Sequence, residues 1–182
     1  MIYYFTPYQT KNLGQAYNHY CDLVPNDDDW ITFSDGDVMQ LHLNWGEIWQ
    51  SILERNNDAG IVTCLSNRAI KANIDQVVFE MYDKSDIIEH KKFALKLWNS
   101  NGYITKSMTQ KIFSGFFFSF KKRTWKEVGG FMDGILHVDT DFFHKIIIKN
   151  KKCLVAQGFY VLHYYRLMEG CFYKKHLRIP SK

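Results

Sequence analysis

Apolar runs alternating with helical stretches predict an α/β fold: a three-layer sandwich around a mainly parallel central sheet. The segments 2–6, 30–33, 60–65, 114–120 and 154–164 are apolar at nearly every position, as in strands covered on both faces. The stretches between most of them place apolar residues at helical spacing instead. The chain has 182 residues, 46% of them hydrophobic and 23% charged. That is enough for one domain with a substantial core and too little for two, so residues 1–182 are read as a single unit.

Ile2 to Thr6 forms the first strand, closed by Pro7. From Asn12 the pattern turns helical, with Leu13, Ala16, Tyr17, Tyr20 and Val24 on one face, until Pro25 and the polar loop 26–29 stop it. Trp30-Ile31-Thr32-Phe33 is the second strand and runs directly into Ser34-Asp35-Gly36-Asp37. A helix is expected from Asn44, an N-cap residue with Glu47 three positions on, and Trp45, Ile48, Trp49, Ile52 and Leu53 form its apolar stripe. Gly60 to Leu65 is the third strand, 67–83 an excursion, and Ile87 to Asn99 a helix.

The Phe-rich stretch Ser114 to Phe120 is read as a fully buried strand. Thr124 and Glu127 are spaced as a capping box, and Gly129-Gly130 ends that helix after about one turn. Asp139 to Lys149 is helical, and Leu154 to Tyr164 is the last strand, carrying His163.

The net charge of +4 is concentrated in Lys121-Lys122-Arg123, Lys149 to Lys152 and the tail Lys174 to Lys182. Such patches suit a diphosphate or an acidic membrane surface, and equally a solvated face. No helix-turn-helix, RNP or zinc-finger pattern accompanies them, which argues against nucleic acid. The aromatic-basic tail, from about residue 170, offers peripheral membrane contact. Four cysteines without a C-x-x-C pair read as reduced thiols. No apolar run reaches the ~18 residues of a membrane span and no basic-then-apolar leader opens the sequence, so the expectation is a cytoplasmic protein. Hydrolase, NTPase and dinucleotide motifs are missing.

Asp-x-Asp occurs at 27/29, 35/37 and 139/141, so spacing alone does not discriminate. Asp27/Asp29 precedes a strand and reads as a solvated turn. Asp35-Gly36-Asp37 follows a buried strand, at the end where α/β sheets bind ligands. Two carboxylates there suit a hard divalent cation, and suit an Asx-type turn equally well. Asp139 and Asp141 open a helix, where capping is the default explanation. A lone histidine such as His163 is more often structural than a ligand.

These residues fall in a recognisable order. The series Asn12-Leu13-Gly14-Gln15-Ala16-Tyr17-Asn18, then Trp30 to Asp37, resembles family 2 glycosyltransferases. Gly115, the segment Lys122 to Asp133, the block Val138-Asp139-Thr140-Asp141-Phe142 and Val161-Leu162-His163 are similar to that family's later motifs. The resemblance implies a GT-A (Rossmann-like) fold and inverting sugar transfer from a nucleotide-diphosphate donor to a saccharide or glycan. It implies Mn²⁺ or Mg²⁺ on Asp37 and His163, and Asp35 on the donor ribose or sugar. It also implies Thr6, Pro7 and Tyr8 around the nucleobase, Asn12 near the donor nucleotide and Asp139 as general base. Trp125 or the Phe-rich strand would offer a face to the acceptor sugar, with burial in the core the default for both. The chain departs from the pattern in having one helix and a loop between its first strand and Asp35, and in carrying Tyr17, Val138 and Gly134 at motif positions. A non-catalytic sugar-binding module of the same shape is the alternative.

Overall fold

A computed structural model of the protein describes residues 1–69 and 71–165; the aromatic-basic tail and Cys171 lie outside the described residues. The chain opens with β1 (Ile2–Phe5), α1 (Leu13–Leu23), β2 (Trp30–Ser34), β3 (Val38–Gln40), α2 (Trp45–Arg55) and β4 (Ile61–Ser66). A 3-10 turn at Phe79–Met81 leads into α3 (Ile87–Asn101), β5 (Thr105–Ser107) and β6 (Phe117–Lys121). Then come α4 (Lys122–Val128), α5 (Val138–Ile148) and β7 (Cys153–His163).

The strands form one sheet in the order β1-β2-β6-β4-β7-β3, with β5 also paired to β7. The pairings β1–β2 and β4–β7 are parallel, whereas β2–β6, β4–β6, β3–β7 and β5–β7 are antiparallel. The sheet is therefore mixed. β1, β2, β4 and β7 share one direction, and β6 is inserted against them between β2 and β4. The expected "mainly parallel" sheet survives as a common direction of those four strands and not as a pairing pattern. Apolar runs report burial and say nothing of strand direction.

Burial on both faces explains why the strands lack polar alternation. Ile31, Phe33, Phe118 and Phe120 pack with Tyr17 and Cys21 of α1 and with Phe142, Phe143 and Ile146 of α5. Their strand neighbours Trp30, Phe117, Val62 and Leu154 face the other way, onto Ile48, Trp49, Ile52 and Leu53 of α2. Helices thus cover both faces, as a three-layer sandwich requires. Ala94, Phe93 and Leu97 of α3 pack on Val155, Tyr160 and Leu162 of β7.

Two expected helix caps differ from what is observed. Asn44 is an N-cap but its side chain makes no capping hydrogen bond, and α4 begins after Lys121, leaving Thr124 inside the helix. Lys122 is drawn in because its ammonium donates to the carbonyls of Asp22 and Val24 at the end of α1, satisfying acceptors the helix leaves open. Asn12 caps α1 as its position implies, accepting from the Gln15 amide at 3.0 Å.

Candidate functional site

The shared direction of β1, β2, β4 and β7 delivers Thr6, Asp35, Asn67 and His163 to one edge of the sheet. β1 and β2 run in register, Phe5 opposite Phe33, so Thr6 to Tyr8 and Ser34 to Asp37 leave the sheet side by side. Asp35 is tied back by its amide to the Phe116 carbonyl at 2.8 Å. β3 then pairs with β7 so that Val38 stands opposite His163, and the Tyr164 amide donates to the Asp37 carbonyl at 2.9 Å. That pairing stitches the aspartate turn to the end of β7. Asp35, Asp37 and His163 come together, with ligand atoms within 4.8 Å of one another.

His163 is the informative member. Its ring is 2% exposed, packed against Phe116 and Tyr165. Nδ1 lies 2.8 Å from the Arg68 carbonyl, an acceptor only, so Nδ1 carries the proton and donates. Nε2 faces Asp37 Oδ1 at 3.3 Å and Asp35 Oδ2 at 3.9 Å. Those contacts are too poorly aligned to be hydrogen bonds, and Nε2 is buried without a partner. A ring nitrogen and two carboxylates facing one space call for a positive charge among them, which a proton on Nε2 or a bound cation supplies. A divalent cation with ligand bonds of about 2.0–2.5 Å fits that demand, since the three ligand atoms can surround it at this spacing.

The end of β4 holds the histidine in place. Asn67 is fully buried, its side-chain oxygen accepts the His163 amide at 2.8 Å, and the next carbonyl, that of Arg68, fixes the ring tautomer. Neither residue was singled out in the sequence. The polar ending Ser66-Asn67-Arg68 on a buried strand was the available signal.

The two carboxyls differ in environment. Burial pushes Asp35 up to about 6, opposed by His163 and reinforced by the charges of Asp37 and Asp139. Asp37 is held below the usual carboxylate range, chiefly by His163 beside it.

Asp35 and His163 share a cavity of about 200 Å³ with Asp139, walled by Leu13, Tyr17, Ile135 and Leu136. Asp139, on the first turn of α5, accepts from the Gly115 amide at 2.6 Å through Oδ2 and from the Thr140 amide at 2.8 Å through Oδ1. These bonds fix the carboxyl's direction while each oxygen keeps a second lone pair. Burial raises its pKa, and the two amides oppose the rise. Gly115 has to be glycine, because a Cβ there would lie 2.7 Å from the Asp139 Cβ.

Other expected residues lie outside the cavity lining. Thr6 is beside the aspartate turn, its Cγ2 3.8 Å from where a Gly36 Cβ would stand, and Tyr8 is 82% exposed beyond it, with Pro7 half-buried between them. The structure spends Asn12 on Gln15 and on the Gly134 amide, which it accepts at 3.0 Å. Trp125 donates its indole N–H to Asn18 at 2.8 Å and packs on the core. Asp141 pairs with Lys145 one turn on, at 2.7 Å. In the two basic patches that lie among the described residues, Arg123 pairs with Asp28, Lys151 with Glu127 and Lys152 with Asp58.

Among the described residues no helix is long and apolar enough to cross a membrane. Compared with known protein families and with curated proteins, the chain matches no family model and no curated relative.

Proposed function

We propose that the protein is a metal-dependent inverting glycosyltransferase of GT-A type, moving a sugar from a nucleotide-diphosphate donor to a saccharide hydroxyl. One observation carries this reading: the buried Nε2 of His163 faces Asp35 and Asp37, and His163 and Asp35 share a cavity with Asp139. Asp37 and His163, with Asp35 beside them, would hold Mn²⁺ or Mg²⁺, whose chemistry there is to offset charge on the departing diphosphate. The exposed ledge Thr6-Pro7-Tyr8 is left for the nucleoside, because 200 Å³ is below the range of about 300–1,000 Å³ that encloses a whole drug-sized ligand.

Asp139 takes the proton from the acceptor hydroxyl. Its carboxyl is directed by two backbone amides and its basicity is raised by burial, so once ionised it is a better base than a solvated aspartate. The freed oxygen forms the new bond to the anomeric carbon as the bond to the diphosphate breaks on the opposite face. Asn12 and Trp125 contribute in this reading by holding the segment 130–134, and Trp125 faces the acceptor only across that segment.

The small cavity and the double capping of Asp139 favour, as a second reading, a nucleotide-sugar binding module without turnover. Thermal shift with nucleoside diphosphates and nucleotide sugars, with and without Mn²⁺, separates the two. The enzyme reading expects metal-dependent stabilisation that Asp37→Asn abolishes. It also expects donor hydrolysis or transfer that Asp139→Asn lowers about 10²–10⁴-fold without weakening Mn²⁺ binding. Stabilisation without turnover across a broad acceptor panel selects the binding module. No response to any nucleotide overturns both.

A further inference from the structure

β4 pairs with β6 at Val62 and Thr63. At Ser66 a segment of the excursion 67–83 stands beside β4 instead. The Ser66 amide donates to the Gln76 carbonyl at 2.8 Å, the Val78 amide donates to the Ser66 carbonyl at 2.9 Å, and Val77 pairs with Ser66 in parallel. That backbone pairing sets Gln76 between β4 and the stretch that leads into β6. The Gln76 side chain is fully buried and its amide is fully engaged. Oε1 accepts the Ser114 amide at 2.9 Å, while Nε2 donates to the Ser114 carbonyl and to the Thr63 hydroxyl, both at 2.8 Å. Reversing the amide would set acceptor against acceptor at Ser114, so its orientation is fixed. Gln76 therefore holds Ser114 as a neighbouring strand's peptide would, by N–H and C=O together. Asp75, one residue earlier, ties the same two segments by accepting the Thr109 and Gln110 amides at 2.7 and 3.0 Å.

What Ser114 carries on either side gives this clamp its consequence. The next amide, that of Gly115, donates to Asp139 at 2.6 Å, and the Phe116 carbonyl accepts the Asp35 amide at 2.8 Å. Gly115 has no side chain of its own to anchor the turn, so the clamped neighbour sets where its N–H points. Resting on the glycosyltransferase reading, we propose that Gln76 is a positioning residue for that reaction: through Ser114 it fixes the Gly115 amide that aims the Asp139 carboxyl. A residue needed only to fill this space would be aliphatic, because a buried amide is tolerated only when its hydrogen bonds are all made. In-line transfer needs the base, the acceptor oxygen and the anomeric carbon aligned, and a misplacement of about 1 Å costs roughly a hundredfold in rate. Gln76 touches none of the reacting atoms and acts only through the backbone it holds.

The test follows the Gly115 amide by ¹⁵N–¹H NMR in the metal-free full chain. An amide donating to a carboxylate at 2.6 Å lies far downfield and moves as that carboxylate takes up its proton. Gln76→Met keeps length and bulk but removes all three side-chain hydrogen bonds, so the Gly115 signal should fall back towards an ordinary amide position and lose its pH step. Ser119→Ala is the structural control. It breaks another fully buried network, with Thr32 at 2.7 Å and Trp49 at 2.8 Å, and should leave the Gly115 signal in place. An unchanged Gly115 signal in Gln76→Met overturns the proposal, and so does equal loss in Ser119→Ala. Hydrogen exchange on the unaltered protein decides the matter if Gln76→Met does not fold. The Ser114 and Gly115 amides should then share one opening, with protection equal to within about threefold, and a Gly115 amide protected about a hundredfold less overturns the clamp. Turnover is measured with the nucleotide sugar that gives the largest Mn²⁺-dependent thermal shift. Gln76→Met should lower its kcat about 10–100-fold with KM within about threefold, and an unchanged kcat overturns the link to the reaction. Absence of turnover in the unaltered protein counts against the glycosyltransferase reading alone, because the NMR result decides the hold of Gln76 on Asp139 without it.

Discussion

β2 begins and ends beside an Asp-x-Asp turn, and the two ends are neutralised differently. Before the strand, Asp27 pairs with Lys126 at 2.5 Å, Asp28 with Arg123 at 2.6 Å, and Asp29 with the N-terminal ammonium at 2.6 Å. Every carboxylate there is matched by a full positive charge from the chain itself. After the strand, the only basic group among the described residues within salt-bridge distance of Asp35 or Asp37 is His163. Its Nδ1 proton is committed to a backbone carbonyl and its Nε2 faces the acids. Among the described residues, the same sequence spacing thus builds a balanced turn at one end and, at the other, a carboxylate pair with only an imidazole beside it. An acidic pair becomes a candidate site when the described residues around it offer no lysine or arginine to match it.

The largest expected effect follows from that contrast. Asp37→Asn removes Mn²⁺ binding, by at least about a hundredfold in titration calorimetry, while Asp27→Asn leaves it unchanged and costs at most ~1 kcal/mol of stability as an exposed pair. Equal metal affinity in the two variants would erase the distinction between the turns. Asn67→Ala should act next most strongly. It contacts neither carboxylate, but it releases the His163 backbone, so metal affinity should fall about 10–100-fold. A purely structural role predicts lost stability with metal affinity intact. Substituting Co²⁺ and following its visible spectrum reports whether the imidazole still coordinates.

How far the sequence reached is clearest at this site. Each residue of the triad was readable, because a buried apolar strand running into Asp35-Gly36-Asp37 marks its own end and His163 closes another such run. Their convergence was implied by the family resemblance and by no local pattern. It depends on β3, three half-buried residues too short for a periodic signal, pairing antiparallel with β7. The orientation of β6 was hidden for a related reason, since Phe117 to Phe120 report burial on both faces whichever way the strand runs. Asn12 shows the opposite failure. Its cap on α1 was legible from local chemistry, whereas its bond to Gly134 joins residues 122 positions apart.

The two ends of β2 should also respond to pH with opposite sign, in the metal-free protein. Asp29 is held below its ordinary range by the N-terminal amine and Asn26, so the stability it contributes is present above the unfolded value of about 3.9 and is lost as pH falls through its lower folded value. Asp35 is raised to about 6, chiefly by burial, so its contribution is complete below about 3.9 and is lost as pH rises through 6. Asp35→Asn removes that loss. Urea unfolding should show the variant equal to the unaltered protein near pH 4 and more stable at pH 7.5. The gain should be at most ~1 kcal/mol, because 44% of the Asp35 side chain meets solvent. A variant equally stabilised at both pH values would place the effect in packing rather than charge. Saturating Mn²⁺ should reverse the comparison at pH 7.5. The ionised Asp35 that weakens the metal-free fold then lies beside a cation, and Asp35→Asn forfeits that linkage.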